Sequence, residues 1–358
     1  ELLARQHADN AARLLEPLGV RVAFLSGSVQ GAPRRLLVES LAAGEIDLLI
    51  GTHALFSEGV RYRRLGLVIV DEQQRFGVAQ RRALVLKGAH PDMLLMSATP
   101  IPRTLALSAF GEIDVSEIRM VPRGRKPVIT HLARQGNEVK VYERVRREVD
   151  RGGQAYFVYP LIEESSTLDL KDAERMYEKL RGKVFTGARL ALIHSRVPEE
   201  QKVRVMREFT AGNIDILVAT SVLEVGVDVP RATSMVIEHA ERFGLSNLHQ
   251  LRGRVGRGDR QSFAFLIYSD KLTESGVARL RAIMSSSDGF EIAEQDLKIR
   301  GPGEFLGQRQ AGFPRFGIAD LATDWDLFLL AREDAREILS RDPALEDPQY
   351  RGFRQVPE

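Results

Sequence analysis

Two adjacent carboxylates follow directly on a short apolar run in this chain. Asp71 and Glu72 end the stretch LGLVIVDE, whose branched aliphatic residues predict a strand that is buried on both faces. A carboxylate at such a strand end can hold Mg²⁺ through the water shell of the metal, and a neighbouring Glu can orient or deprotonate an attacking water. On its own, this pattern is more often an ordinary solvated strand end, so its meaning depends on the rest of the chain.

A cluster of arginines lies far from the acidic pair in the sequence, in HQLRGRVGRGDR (249–260). Arg254 and Arg257 are three residues apart, and on a helix two such residues share one face, from which both guanidinium groups can reach one polyanion. The alternative is a solvated basic helix, but three glycines in this stretch would weaken a purely structural helix. Together with the acidic pair, the arginines predict phosphoryl transfer, in which an arginine stabilises the charge of the transition state.

The elements that must position these groups occur in two copies. LSGSV…AAGEIDLLIGT (25–52) matches IHSRV…TAGNIDILVAT (193–220) at a shift of 168 positions. The same register places LVIVDE on MVIEHA, so that His239 and Ala240 stand where the first copy has its two carboxylates. An ungapped match over about 50 residues indicates an internal repeat. The difference at the acidic pair predicts one catalytic domain and one partner domain.

Within each copy, short apolar runs alternate with amphipathic stretches. This alternation predicts a doubly wound α/β fold, in which ligands bind at the carboxyl ends of the strands. The chain has 358 residues, which is enough for two such domains, and PRGRKP (122–127) is the expected linker between them. The chain contains no cysteine, which excludes disulfides and cysteine-ligated zinc. Its 51 basic and 49 acidic residues exclude a uniformly basic coat but allow a local basic groove.

Polar residues follow equivalent strands of the two copies, where they could bind phosphates. A loop between a strand end and a helix start exposes backbone amides, which bind phosphate without reading sequence. A fold that presents this arrangement twice could follow a chain of phosphates across both domains, although any one of these sites could instead be an ordinary helix cap. The predicted contacts are Ser26, Gly27, Ser28, Thr52 and His53 in the first copy and His194, Arg196, Thr220 and Ser221 in the second.

No P-loop of the form G-x-x-x-x-G-K-[ST] occurs in the chain. We therefore expect the phosphate-binding strand and helix of the first copy to lie upstream, and the chain to be the C-terminal part of a longer protein. Such a fragment alone should not hydrolyse a nucleotide. No apolar run reaches the roughly 18 residues of a membrane span, so no membrane association is expected.

Several motifs resemble those of superfamily-two helicases. DEQQ, SAT, VATSVLEVGVDVP and HQLRGRVGR are similar to their motifs II, III, V and VI. DEQQRFGVAQR, SATPIPRTLA and AERFGLSNLHQLRGRVGR are similar to both the RecG branched-DNA helicase family and the transcription-repair coupling factors. PLIEESSTLDL and LKIRGPGEFLGQRQAG resemble RecG more closely. The resemblance covers nearly the whole chain and implies two tandem RecA-like domains, the first truncated at its N-terminus.

The resemblance also implies residue roles. Asp71 would hold Mg²⁺, Glu72 would activate the water, and Arg257, followed by Arg254, would be the arginine finger. Further residues would line the ATP cleft or couple it to movement on duplex DNA: Gly226, Asp228 and Gln250 for the cleft, and Gln74, Ser97, Thr99, Arg309 and Gln310 for coupling. Gln74 departs from the usual Asp-Glu-x-His pattern of the family, although its amide can still donate and accept hydrogen bonds.

We therefore expect an α/β motor with domain 1 at residues 1–124, domain 2 at 125–270, a helical hairpin with a Gly-rich translocation loop at 271–320 and a C-terminal helix at 321–358. Its implied cofactors are ATP and Mg²⁺. Its implied partners are branched or forked DNA and single-stranded DNA-binding protein, and it would act as a monomer in the bacterial cytoplasm. The alternatives are a coupling-factor motor and a nucleotide-independent DNA-binding module.

Overall fold

The computed structural model describes residues 1–73, 76–98, 114–120, 124, 126–160, 166–220, 227–300 and 324–355. The chain forms two compact units, Glu1–Ile299 and Arg300–Glu358. Among the described residues, no helix combines the length and apolar character needed to cross a membrane.

The first copy contains four short strands that pair in two separate sheets. Strand β1 pairs in parallel with β2, and β3 pairs in parallel with β4. The elements in chain order are α1 (Leu2–Leu15), β1 (Val22–Leu25), α2 (Gly31–Ala43), β2 (Leu48–Gly51), β3 (Leu67–Val70), α3 (Val78–Val85) and β4 (Asp92–Leu95).

The second copy forms one six-stranded parallel sheet with the order β5-β10-β9-β6-β8-β7. Its strands are β5 (Ile129–Arg134), β6 (Gln154–Tyr159), β7 (Leu190–Ile193), β8 (Ile216–Thr220), β9 (Ala232–Ile237) and β10 (Phe263–Tyr268). Its helices are α4 (Glu138–Asp150), α5 (Ser166–Lys179), α6 (Glu199–Ala211) and α7 (Leu245–Arg252).

Both faces of the second sheet are buried, as expected for strands without polar alternation. Along β6, Tyr156 and Val158 pack into the apolar cluster on one face of the sheet. Ala155 and Phe157 pack into the cluster on the opposite face. The predicted doubly wound α/β fold is therefore confirmed.

Strand β5 was missed in the sequence because its residues are not a continuous apolar run. It lies at the edge of the sheet and pairs only with β10 among the described strands. Thr130 and His131 interrupt its apolar residues, and Ile129 and Leu132 are exposed. An edge strand needs less apolar surface than a central strand because fewer neighbours cover it.

The structure confirms the register of the repeat in its first half. Strands β1 and β7 occupy residues that are 168 apart, and so do the starts of β2 and β8. Helices α2 and α6 each end at a left-handed glycine, Gly44 (φ 78°) and Gly212 (φ 83°), which are also 168 apart. A non-glycine residue would be strained at such a helix end.

One strand of the second sheet has no described counterpart in the first copy. Strand β6 lies between β8 and β9, whereas β2 and β3, their counterparts, belong to separate sheets in the described part of the chain. Leu67, Ile69 and Leu94 in the first copy are consequently about half exposed, at 55%, 51% and 48%.

A pair of helices follows the second sheet. Helix α8 (Glu274–Ser285) and helix α9 (Gly289–Arg300) are separated by a short break, as the sequence predicts. Helix α8 begins at Thr273, whose side chain accepts a hydrogen bond from the amide of Gly276 at 3.1 Å. Helix α10 (Trp325–Arg341) lies in the second compact unit and confirms the helix expected there.

Candidate active site and nucleic-acid interface

The acidic pair lies at the carboxyl end of β3, where the backbone turns sharply. Glu72 has a φ of 51°, which is a left-handed conformation that residues other than glycine rarely adopt. Its amide donates a hydrogen bond to Oδ1 of Asp71 at 2.8 Å. The amide of Gln73 donates to the carbonyl of Met96 at 3.0 Å, which ties this turn to the end of β4, just before Ser97. Ser97 is therefore beside the acidic pair, as motif III would be beside motif II.

The Asp71 carboxylate remains accessible to a ligand. Its side chain is 37% exposed, and its Oδ2 lies 3.3 Å from Nε2 of His7 on helix α1. Within the described residues, no group of three His, Cys, Asp or Glu side chains could enclose a metal ion. One accessible carboxylate suits Mg²⁺, which keeps several waters and commonly binds through one or two carboxylates and substrate phosphates. These residues fit Mg²⁺ bound together with a nucleotide.

The structure corrects the register of the repeat at the acidic pair. His239 has a φ of 49°, close to the value at Glu72, and each is the second residue after its strand. The counterparts of Asp71 and Glu72 are therefore Glu238 and His239, and the expected match to His239 and Ala240 was wrong by one residue. This shift of 167 also aligns QRFG (74–77) with ERFG (241–244), a signal that was present in the sequence. The second copy thus keeps one carboxylate of the pair.

That remaining carboxylate has a very different environment. Glu238 is only 5% exposed, and the hydroxyl of Tyr142 donates a hydrogen bond to its Oε1 at 3.3 Å. Burial, together with the nearby charge of Glu138, raises the pKa of the Glu238 carboxyl to about 7. A carboxyl that is buried and half protonated at neutral pH is poorly suited to hold a metal. Sequence reasoning missed this residue because the register was misplaced by one.

Arg254 and Arg257 do not lie on a helix, contrary to the sequence prediction. Helix α7 ends at Arg252, and the chain continues through a turn at Gly253. Gly253, the first of the three glycines in this stretch, directly follows the last residue of the helix. Gln250, by contrast, lies on α7 as a partly buried residue.

The two arginines nevertheless converge on one place in the second copy. Arg254 is 7% exposed, and burial raises the pKa of the Tyr156 hydroxyl on β6, whereas the nearby charges of Arg254 and Arg257 both act in the opposite direction. Nη1 of Arg257 lies 3.7 Å from Oδ1 of Asp228, and its Nε donates to the carbonyl of Gly253 at 3.3 Å. The structure therefore brings together three of the predicted cleft residues.

Arg252 has a structural contact that the sequence did not reveal. Its side chain is buried, and Nη1 donates to the carbonyls of Ile283 at 2.7 Å and Ser286 at 2.8 Å. These carbonyls belong to the end of helix α8, where unpaired carbonyls attract a cation. Arg252 thus joins the arginine-rich segment to the helix pair. The sequence signal was an arginine directly after the buried Leu251.

The predicted phosphate contacts that the structure describes lie at the carboxyl ends of β1 and β2 and of β7 and β8. The amide of Thr52 donates to the carbonyl of Leu25 at 3.2 Å, so the ends of β1 and β2 are adjacent. His194 directly follows β7, and Thr220 is the last residue of β8, which pairs with β7. Both copies therefore place the two loops side by side.

Not all of these side chains reach the surface. Ser26 and Thr220 are fully buried, whereas Gly27, Ser28, His53 and Arg196 are exposed. The hydroxyls of Ser26 and Ser28 are 2.7 Å apart, and Ser28 also donates to Oε1 of Glu1 at 2.6 Å. In this structure Ser26 and Thr220 are therefore inaccessible to a ligand, and the exposed residues of these loops remain the candidate contacts.

Six predicted site residues and half of the predicted linker (122, 123 and 125) lie outside the described part of the chain. The six residues are Gln74, Thr99, Ser221, Gly226, Arg309 and Gln310.

Three family models match the chain. The model described as DEAD/DEAH box helicase matches residues 1–107, and the helicase conserved C-terminal domain matches residues 139–259. The model described as ATP-dependent DNA helicase RecG, domain 3, C-terminal, matches residues 286–356.

Curated relatives with the name ATP-dependent DNA helicase RecG match nearly the whole chain. The Treponema pallidum protein is 54% identical over 352 residues, which is 96% of this chain and 51% of that protein. The Bacillus subtilis protein is 48% identical over 355 residues, which is 99% of this chain and 52% of that protein. The chain therefore spans about half the length of the curated relatives it matches.

Solved structures agree with this result. A structure of RecG bound to a three-way DNA junction is 47% identical, with a TM-score of 0.70 over 91% of this chain and 42% of that chain. A structure of Saccharomyces cerevisiae Dbp5 bound to RNA and ADP BeF3 is 14% identical, with a TM-score of 0.56 over 93% of this chain and 78% of that chain. The latter similarity concerns the fold alone.

Proposed function

We infer the function from the premise that this chain belongs to the RecG family, and we propose that it is the motor portion of an ATP-dependent DNA helicase. The observation that carries the proposal is the asymmetry between the copies. Asp71 is an accessible carboxylate at a strand end, whereas the second copy contributes arginines at Arg254 and Arg257. Phosphoryl transfer needs both kinds of group.

In this proposal each residue acts through its chemistry at the nucleotide. Asp71 holds Mg²⁺, and Glu72 orients the attacking water. Arg257 stabilises the charge that develops on the transferred phosphoryl group, and Arg254 supports it from its buried position. The remaining cleft residues are Gly226, Asp228 and Gln250. Bound Mg²⁺ and ATP would supply the metal-bridged phosphates on which these side chains act.

The proposal extends to movement on DNA. The paired loops at the ends of β1, β2, β7 and β8 would contact the phosphates of one strand without reading its sequence. Arg252 joins the arginine segment to helix α8, so a change at the nucleotide could be transmitted to the helix pair. We propose that Gln74, Ser97 and Thr99 sense the nucleotide state and that Arg309 and Gln310 transmit it to duplex DNA.

Branched or forked DNA is the proposed substrate, because a relative of this chain is found on a three-way DNA junction. A monomeric state and single-stranded DNA-binding protein as a further partner belong to the same proposal. So do the domain boundaries 1–124, 125–270, 271–320 and 321–358. A transcription-repair coupling motor is less well supported, because the model that matches residues 286–356 is specific to RecG.

The test is Glu72→Gln in the full-length protein. Loss of the water-orienting carboxylate should lower steady-state ATP turnover by about 10²–10⁴-fold, which is the usual contribution of a general base. Nucleotide affinity, titrated on the same variant, should change little because Asp71 and the arginines remain.

The matched control is Glu58→Gln, which removes the same charge from an exposed position of the first copy. Its ATP turnover should equal that of the unaltered protein. Near-normal turnover in Glu72→Gln would contradict the assignment of Glu72.

A further inference from the structure

A cleft of about 570 Å³ opens in the second copy, away from the proposed nucleotide and strand-tracking residues. It lies where β5, β9 and β10 end, and its walls include Gln135 after β5, His239 after β9 and Ser269 after β10. These three strands are neighbours in the sheet. The start of helix α8, at Thr273, completes the wall.

This cleft corresponds in position to the edge of the sheet that carries Asp71 and Glu72 in the first copy. Strands β9 and β10 are the counterparts of β3 and β4, and His239 occupies the place of Glu72 with nearly the same φ. The edge that carries Asp71 and Glu72 in the first copy thus carries Glu238 and His239 in the second.

Basic side chains outnumber the free acidic ones around this cleft. Arg242, Lys271 and Arg279 line it together with Glu241 and Asp270. Asp270 is already paired with the guanidinium of Arg134, which lies outside the cleft.

The carboxylate of Glu241 also has partners within the protein. Its Oε1 accepts a hydrogen bond from the Ser269 hydroxyl at 2.9 Å, and Nε of Arg242 is 4.0 Å from it. Both carboxylates are thus held by the protein, and a net positive field remains for an anion.

Two buried nitrogen atoms at the cleft have no hydrogen-bond partner among the residues that the structure describes. They are Nδ1 of His239 and Nε of Arg279. Nδ1 of His239 is 3.5 Å from Glu241, which is within ion-pair range but makes no hydrogen bond. Arg279 uses Nη2 to bond the carbonyl of Glu241 at 3.0 Å, which leaves Nε unused. A buried donor without an acceptor costs free energy, which a bound acceptor would recover.

We propose that this cleft binds a phosphate group, presented either by the DNA backbone or by a free phosphate or nucleotide. A phosphate oxygen can accept from several donors at once, which suits the guanidinium groups of Arg242 and Arg279, the Lys271 ammonium and the start of helix α8. The DNA backbone is one source, because the parallel strands place this cleft on the same carboxyl edge of the sheet as His194 and Arg196.

The experiment titrates inorganic phosphate into the full chain and follows backbone amide signals by nuclear magnetic resonance. Saturable shifts should occur at Ser269, Lys271 and Thr273, independently of any shifts at Arg254 and Arg257. The variant Arg242→Glu/Lys271→Glu should weaken phosphate affinity at these amides by at least about fivefold, since it reverses two charges that face the ligand. Both side chains lie at the protein surface, so the fold should be retained.

The matched control is Lys183→Glu, an exposed charge reversal just before β7 and away from the cleft, which should leave the affinity unchanged. Binding of labelled forked DNA, measured by fluorescence anisotropy at fixed salt, then separates the sources. A parallel loss of DNA affinity in the double variant identifies the DNA backbone, and unchanged DNA affinity identifies free phosphate or a nucleotide. Absence of shifts at the cleft, or equal affinity in the double variant and the control, would overturn the proposal.

Discussion

The carboxyl ends of β3 and β9 share a backbone turn but offer opposite environments. In each, the second residue after the strand adopts a left-handed conformation, at Glu72 and at His239. The first residue is a carboxylate in both, yet Asp71 is 37% exposed and Glu238 is 5% exposed. The two copies therefore differ in the exposure of this carboxylate rather than in the backbone turn that carries it.

The cause of the difference is the sheet beneath each turn. Strand β9 is flanked by β10 and β6, and the apolar clusters on both faces of the six-stranded sheet enclose it. Strand β3 pairs only with β4 among the described strands, and one of its faces is half exposed at Leu67 and Ile69. Within the part of the chain that the structure describes, β9 is therefore enclosed on both sides, whereas β3 has one covered neighbour, β4.

The strongest test of this comparison shortens one strand side chain to alanine in each copy. Phe157 on β6 is fully buried and packs against the rings of Tyr142 and Phe185. Phe157→Ala should destabilise the second copy by about 3–5 kcal/mol, because it leaves a large cavity. Ile69→Ala should cost less than about 1 kcal/mol, because Ile69 is already half exposed. Hydrogen exchange of the amides in β6, β8 and β9, and of those in β3 and β4, measures each effect locally.

Equal losses of protection for the two variants would contradict the comparison. They would mean that the exposed face of β3 contributes as much burial as the centre of the second sheet. A useful control is Leu327→Ala, an exposed residue of helix α10 in the other compact unit, which should change neither set of amides.

A second test uses the acidity of Glu238. Its folded-state pKa of about 7 lies above the ordinary value of 4.5, so the folded state retains a proton that the unfolded state has lost between these pH values. The free energy of unfolding should therefore fall as pH rises from about 4.5 to 7, by at most about 3 kcal/mol for this group. Glu238→Gln should remove this part of the pH dependence, as measured by urea denaturation at pH 5 and pH 7.5.

Asp71→Asn is the matching substitution in the first copy. Because Asp71 contacts His7 rather than Tyr142 or Glu238, its replacement should leave the part of the pH dependence that belongs to Glu238 in place. A pH dependence that survives in Glu238→Gln would show that another group retains the proton.

The sequence was sufficient for most of the strands but not for all of them. Apolar runs such as LGLVIVDE (65–72) and IDILVAT (214–220) predict strands, and the structure has strands β3 and β8 there. Strand β5 was missed because an edge strand mixes polar and apolar residues. The register of the repeat was correct up to β2 and β8, but it failed by one residue at β3 and β9. The loop between two strands can differ in length between the copies without altering the sheet. A single offset in residue number therefore does not hold on both sides of such a loop.

The candidate site was predictable in residue type but not in environment. The acidic pair and the arginines were found from spacing, yet the helix expected for Arg254 and Arg257 ends at Arg252. The two arginines come together because of the fold around Tyr156 rather than through helical periodicity. Burial of Glu238 and the contacts of Arg252 depend on residues far away in the sequence, so local patterns contain no signal for them.

The smallest predicted effect concerns an arginine that binds an aspartate and a glycine carbonyl in the same way in the two copies, an arrangement that we call the arginine clamp. Arg21 binds Asp47 and the carbonyl of Gly44, and Arg189 binds Asp215 and the carbonyl of Gly212 in the same way. The hydrogen bond from each arginine holds the pKa of its Asp below the usual value. Each clamp should therefore stabilise its copy at neutral pH and lose this effect as pH falls through the lowered pKa.

Asp47→Asn and Asp215→Asn compare the two clamps in otherwise similar geometry. Both pairs are largely exposed, so each substitution should shift the urea midpoint only slightly, and the shift should shrink at high salt. Asp215 is the less exposed of the two, at 23% against 44% for Asp47, so Asp215→Asn should have the larger effect. The control Asp9→Asn removes an exposed carboxylate from helix α1 and should have no effect. A larger shift for Asp47→Asn would mean that the first copy depends on its clamp more than its open sheet suggests.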